Sequence, residues 1–327
     1  MQTELPKIEL YRIRTFTEKL IDMFNFLREN WRPMLKYFLY MMLPISIVLA
    51  LPFNHFFDSY LGLTGKLANP DALRDMNFWL FGISAVATVL GSMFSALLLE
   101  SFVYAMIRVY GRRPQRLKDL FYTDFRDDLY FCMKRGVIMA LTGLGIMAIV
   151  AVIGIIILVM AFAVSYQFGT AVTILGIILL YIAIFVLVFP LYMVAPVYML
   201  EEKIGVIDAY KKGLRLGFKT WGGIFAIMLV VGVLSSIIQT FTMMPWYLLS
   251  VVKAVFTLMK EMDKPFFHSF LYSLLQYLTC ILMCLGYMLS MVFSLVGVTI
   301  QYGHASEKID GTGVSKRIDK FEEFDNF

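Results

Sequence analysis

From Phe78 to Ile107 the chain runs for thirty residues with a single charged side chain, Glu100. As an α-helix that stretch would measure about 45 Å, against a bilayer hydrocarbon core of about 30 Å. Five more apolar runs occupy Met34–Phe53, Gly136–Val164, Ala171–Met199, Trp221–Phe241 and Leu271–Tyr302. A soluble chain would interrupt such runs with polar faces. Hydrophobic residues make up 60% of the 327 positions and charged residues 16%, against roughly 45–50% and about 25% in soluble domains. The expected fold class is therefore an all-α integral membrane protein, a bundle of six transmembrane helices. The first run follows six basic residues and a long polar lead, so it reads as a retained helix and not a cleaved signal.

Lysine and arginine set the orientation. Twenty-three of the 29 fall in residues 1–33, 108–135, 200–220 and 303–327, and only five in the alternate segments 54–77, 165–170 and 242–270. The bias of basic residues toward the cytoplasm places both ends of the chain there. Segments then divide as an N-terminal cytoplasmic amphipathic stretch (1–33), a six-helix membrane domain (34–302) and a cytoplasmic tail (303–327).

Three basic segments carry apolar residues at helical spacing just before a span. Thr15 and Glu18 have capping-box spacing, followed by Leu20, Phe24, Leu27 and Trp31 on one face. Leu117, Phe121, Phe125 and Leu129 recur every four residues in the second. Ile207, Tyr210, Leu214, Phe218 and Trp221 form the third stripe. Such helices lie in the membrane interface with cations at anionic headgroups; Arg28, Arg32, Arg116, Lys211, Lys212, Arg215 and Lys219 are the candidate headgroup contacts. Surface helix, turn and descent, repeated before spans one, three and five, predict three hairpins entered from the cytoplasm.

One segment tests the span count. Trp246 to Met259 follows Pro245 and is apolar except for Ser250, Lys253 and Thr257, which share a face. Fourteen residues reach only about 21 Å as a helix. The segment reads as an amphipathic helix on the outer surface or across the outer mouth of the bundle, with a re-entrant hairpin or a full crossing as alternatives.

Few residues point to chemistry. Glu100, Tyr104 and Arg108 fall on one helical face, and a carboxylate inside a span marks either an ion or substrate path or an interfacial anchor. Pro190 and Pro196 remove backbone donors near the end of the fourth run, which either bends the helix or frees carbonyls for a cavity whose cytoplasmic mouth would be formed from Glu100, Tyr104, Pro190, Tyr192 and Glu201. Gly82, Ser84, Gly91, Ser92 and Ser95, and Gly143, Gly145 and Gly154, predict close helix packing. Cys280 and Cys284 share a face but lack further ligands for zinc. His55, His268 and His304 are scattered, and no metal, nucleotide or hydrolase motif occurs. No cofactor, metal or catalytic residue is expected, and an enzyme is disfavoured. The net charge of +5 follows the membrane boundaries, which favours anionic lipid over nucleic acid as the partner.

The stretch Phe189-Pro190-Leu191, Pro196, Glu201 and Asp208-Ala209-Tyr210-Lys211-Lys212-Gly213-Leu214-Arg215-Leu216 resembles a broad group of functionally uncharacterised bacterial polytopic inner-membrane proteins. That group is distantly similar to the membrane domain attached to some glycerophosphodiester phosphodiesterases. Glu307-Lys308-Ile309-Asp310-Gly311 and Arg317-Ile318-Asp319 also look like the ending of Bacteroidetes members. The resemblance implies a bacterial inner-membrane location. In those phosphodiesterases catalysis sits on a separate soluble barrel, for which this chain has no stretch. Expected is a non-enzymatic inner-membrane protein that organises or assists a membrane process, acting through anionic lipid, a membrane-protein partner or a second copy. The alternative is a transporter or permease for a small or lipid-like substrate.

Overall fold

A computed structural model describes residues 7–66, 77–114, 116–168, 170–258 and 269–315. The described residues form eight α-helices: α1 (Phe16–Lys66), α2 (Phe78–Arg112), α3 (Tyr122–Phe168), α4 (Thr170–Leu191), α5 (Val194–Leu200), α6 (Val206–Lys219), α7 (Trp221–Leu258) and α8 (Phe270–Asp310). Six segments, in α1, α2, α3, α4 with α5, α7 and α8, are long and apolar enough to cross a membrane. The chain is a multi-pass membrane protein. Helix is the outcome physics favours for such runs, because in hydrocarbon every backbone donor and acceptor has to be satisfied within the segment.

Helices cross boundaries that the sequence pattern drew. α1 is continuous for 51 residues through Pro33, Pro44 and Pro52, so the first amphipathic stretch forms its opening turns and is not a separate surface helix. Its start matches expectation. The Thr15 backbone N–H and hydroxyl donate to the Glu18 carboxylate at 2.7 and 2.9 Å, and the Glu18 N–H donates back to the Thr15 hydroxyl at 3.4 Å. The apolar stripe falls on the open side, with Phe24 and Trp31 exposed, while Lys19, Met23, Phe26 and Asn30 are buried. In the second stretch Leu117 lies in a loop, where its N–H donates to the Asn30 side chain at 3.1 Å. Helix α3 begins only at Tyr122, after the Asp124 carboxylate accepts the Phe121 N–H at 2.8 Å. The third stretch is the separate helix α6.

The segment from Trp246 is a correction. α7 runs unbroken through Pro245 to Leu258, so residues 246–258 continue the fifth long helix and form neither a surface helix nor a re-entrant hairpin. Met259 and His268, like the tail from 316, lie outside the described residues.

Two compact units draw on separated parts of the chain. The first takes its described residues from Met1–Asn30, Val103–Leu229 and Val296–Phe327. Its core gathers Met193, Val197, Tyr198, Ala209, Leu216, Ile224, Val298, Tyr302 and Ala305. Within this unit a Cβ on Gly145 or Gly154 of α3 would meet no described residue within 4 Å and one on Gly143 would stand 3.9 Å from the Tyr210 hydroxyl, so among the described residues the predicted close packing at these glycines is not formed.

The second unit takes in Trp31–Phe102 and Val230–Leu295. Here Gly91 does permit close approach: a Cβ would stand 2.8 Å from Leu49. The polar face of α7 is turned inward, with Ser250 buried and Lys253 2.7 Å from Asp58. Gln276 donates to the same carboxylate at 3.3 Å, and Trp246 donates its indole N–H to Asn54 at 2.8 Å. Low dielectric makes an unpaired lysine or aspartate costly at such a depth, and pairing offsets that cost.

Candidate functional site

The first unit contains a cavity of about 1180 Å³. Its walls come from residues near 7–11, the end of α2, the α5–α6 loop, α6 and α8. How those pieces are held explains the shape.

α4 ends just beyond Pro190, and α5 restarts the chain at Val194 for seven residues. Helix α6 packs across this junction with glycines. A Cβ on Gly217 would stand 2.5 Å from the Pro190 Cα, and one on Gly213 would stand 2.8 Å from the Val194 Cα. With Ala209 and Leu216 these form the buried face of α6. The predicted stripe is on the opposite side, where Ile207 and Phe218 are 67% and 50% exposed.

The loop after α5 is fixed by Arg135. Its guanidinium donates to the carbonyls of Tyr198, Glu201, Glu202 and Ile204, at 2.5 Å for Glu201 and Glu202 and 3.2 Å for Ile204. It also lies over the rings of Phe131 and Tyr198, 4.6 and 4.7 Å from their centroids. A planar fork with five donors suits this capture of orphan helix-end carbonyls.

Charged side chains then meet around the loop. Arg108 pairs with Asp128 at 2.9 Å, donates to the Met199 carbonyl at 3.2 Å and pairs with Glu202 at 2.6 Å. Arg112 contacts the second oxygen of Asp128. Glu201 receives Lys212 at 2.7 Å and the Tyr302 hydroxyl at 2.5 Å, and Asp310 pairs with Arg215 at 2.7 Å. A strap of residues 7–14 closes one wall. Lys7 donates to the carbonyls of Gly111 and Arg113 at 3.3 and 2.6 Å, the Ile8 N–H donates to the Tyr110 hydroxyl at 3.0 Å, and the Arg14 N–H donates to His304 Nδ1 at 3.0 Å.

The lining mixes five cations, Lys7, Arg108, Arg112, Lys203 and Lys212, with the carboxylates Glu9, Glu201, Glu202 and Asp208. Ile8, Leu10, Phe26, Ile107, Leu200, Ile204, Val296 and Ile300 supply the apolar share. A chamber of this kind suits a molecule with a charged end and an apolar body.

Of the residues singled out from sequence, Arg108, Glu201 and Lys212 line this cavity. Tyr104 is fully buried and Pro196 is buried in α5. Pro190 forms the floor under Gly217, and Tyr192 is exposed. Glu100 belongs to the second unit, is half-buried and does not line the cavity. The candidate headgroup cations divide. Arg116 pairs with Glu29 at 3.1 Å, and Lys212 and Arg215 sit in the network above. Arg28, Arg32, Lys211 and Lys219 are exposed, with Lys211 3.9 Å from Asp208 and Arg32 over the Trp31 ring.

Asp128, Arg135, Glu202 and Tyr302 were not singled out from sequence. The available signal was Arg108 and Arg112 four residues apart on α2, two like charges on one face that favour a carboxylate between them. Among the described residues no three His, Cys, Asp or Glu side chains gather where they could hold a metal ion. The chain matches no family model, no curated protein and no solved structure.

Proposed function

We propose that the protein is a non-enzymatic bacterial inner-membrane protein, with both ends cytoplasmic, that assists a membrane process by engaging anionic lipid at its charged end. The carrying observation is α6. One face is locked on α4 and α5 through Gly213 and Gly217, while Ile207 and Phe218 stay exposed beside Lys211 and Lys219. A helix held rigidly at the end of a span, with apolar groups outward and cations beside them, fits the lipid interface. The clustering of basic residues in the segments that build this unit supports the cytoplasmic assignment. Three hairpins remain the topological reading, with α6 as the one separate amphipathic helix among the described residues.

The test uses full-length protein in phosphatidylcholine nanodiscs that contain a photoreactive phosphatidylglycerol. Crosslinks are expected along α6 and should fall at least about fivefold in the Lys211→Glu, Lys219→Glu double variant, since each surface cation is worth about 1 kcal/mol. Equal crosslinking in both proteins would remove the reading.

The cavity favours a second reading, a transporter for a small or lipid-like substrate. It requires that water reach Glu100. On a cysteine-free background, Glu100→Cys should then react with a membrane-impermeant thiol reagent, and a thiol at that position shielded from both sides of the membrane would end this alternative.

A further inference from the structure

The surroundings of Arg108 are asymmetric in a way that a structural ion pair does not need. On one side the guanidinium is fixed. Asp128 holds Nε at 2.9 Å, the Met199 carbonyl takes Nη1 at 3.2 Å, and the Phe131 ring lies 4.3 Å from the guanidinium carbon. Both Arg108 and Asp128 side chains are over nine-tenths buried. On the cavity side, Nη2 is met by Glu202, whose side chain is 64% exposed. An exposed carboxylate on a loop gains little from such a pair, because water competes for it.

Glu202 therefore sits where an incoming anion would sit. The buried half of the site is already oriented, so a ligand need not order it. Lys203, the next residue, is exposed, lines the same cavity and makes no ion pair with a described residue. It offers a point charge within the same loop. Phe26, Ile107, Val296 and Ile300 give the same cavity an apolar share of its wall.

We propose that the cavity binds a phosphate-bearing amphiphile, whose phosphate displaces Glu202 from Arg108 and takes Lys203 as its second cation. Phosphate is the anion that matches: its oxygens accept from the guanidinium edge and from an ammonium at once. The apolar wall makes a membrane phospholipid the favoured source, and a soluble phosphate ester is the source to be separated from it. No bond is made or broken. The inference deepens the lipid reading, but it concerns a cavity inside the unit and not the outer face of α6.

The experiment is native mass spectrometry of the full-length protein in mild detergent, titrated with phosphatidylglycerol, with diacylglycerol, which has the same chains but no phosphate, as the lipid control. Calorimetry with glycerol 3-phosphate provides the soluble arm. Glu202→Gln removes the internal competitor without changing size, so it should tighten phosphatidylglycerol binding by about two- to fivefold. Lys203→Ala should weaken it several-fold, and Arg108→Gln should abolish it. Because Arg108→Gln removes the buried partner of Asp128 and leaves it only the exposed Arg112, a fold that fails there says nothing of the ligand, and the Glu202 and Lys203 variants decide. Unchanged or weaker binding in Glu202→Gln overturns the proposal, as does equal binding of the two lipids. Binding of glycerol 3-phosphate at the affinity of the lipid would leave the phosphate site standing and overturn the lipid as its source. Loss of α6 crosslinks with this binding intact overturns only the α6 reading, and the reverse pattern overturns only the cavity.

Discussion

Asp128→Ala should destabilise the protein by about 3–5 kcal/mol, the usual cost of breaking a buried ion pair from one side. Asp128 is the shared acceptor for Arg108 and Arg112, and its loss leaves the buried Arg108 guanidinium without its fixed partner. Arg112→Ala is the control. That side chain is mostly exposed, so its removal should cost no more than about 1 kcal/mol. Unfolding midpoints followed by size-exclusion chromatography after heating in detergent compare the two directly. Equal losses would mean that the pair acts as a surface bridge and that Arg108 is not preorganised.

The second large effect is expected at Gly217. A single methyl there would stand 2.5 Å from the Pro190 Cα, which is backbone and cannot swing away. Gly217→Ala should cost about 1–3 kcal/mol as α6 is forced off the α4–α5 junction, and Gly217→Leu more. Gly222, at the start of α7, has open space around it. Gly222→Ala should be neutral or gain up to about 1 kcal/mol from helix propensity. The same chemical change with opposite signs five residues apart separates packing from propensity, and a stable Gly217→Leu protein would show that α6 is not locked.

The six spans were legible because membrane hydrophobicity is written residue by residue. Helix ends were not. Proline breaks helices in water, where freed carbonyls are solvated, yet α1 and α7 run through Pro33, Pro44, Pro52 and Pro245; in a membrane protein, neighbouring helices and local adjustment re-satisfy the freed groups. Glycine was legible as a packing residue but not by address. Gly91, Gly213 and Gly217 meet a neighbour, whereas Gly145 and Gly154 meet none among the described residues, since contact depends on which helix lies opposite. The apolar stripe of α6 stood out in sequence, and its buried face did not, because Ala209, Gly213 and Gly217 carry almost no hydrophobic signal. Arg108 and Glu201 were found as charges at the edge of spans. Their partners Asp128, Glu202 and Tyr302 come from elements far apart in the chain, and one sequence does not pair distant positions.

The strap of residues 7–14 sets an order on assembly. The Arg14 N–H reaches His304, Tyr11 meets the Tyr302 ring edge-on, and the Leu10 carbonyl sits where Gly303 leaves room. These contacts join residues nearly three hundred positions apart, so the ribosome has to deliver α8 before the strap can seat. Until then Leu10, Tyr11 and the surfaces they cover stay open, a window in which such chains are prone to misassembly. Nascent chains stalled before residue 302 should therefore show protease cleavage near Leu10 that disappears once His304 has emerged.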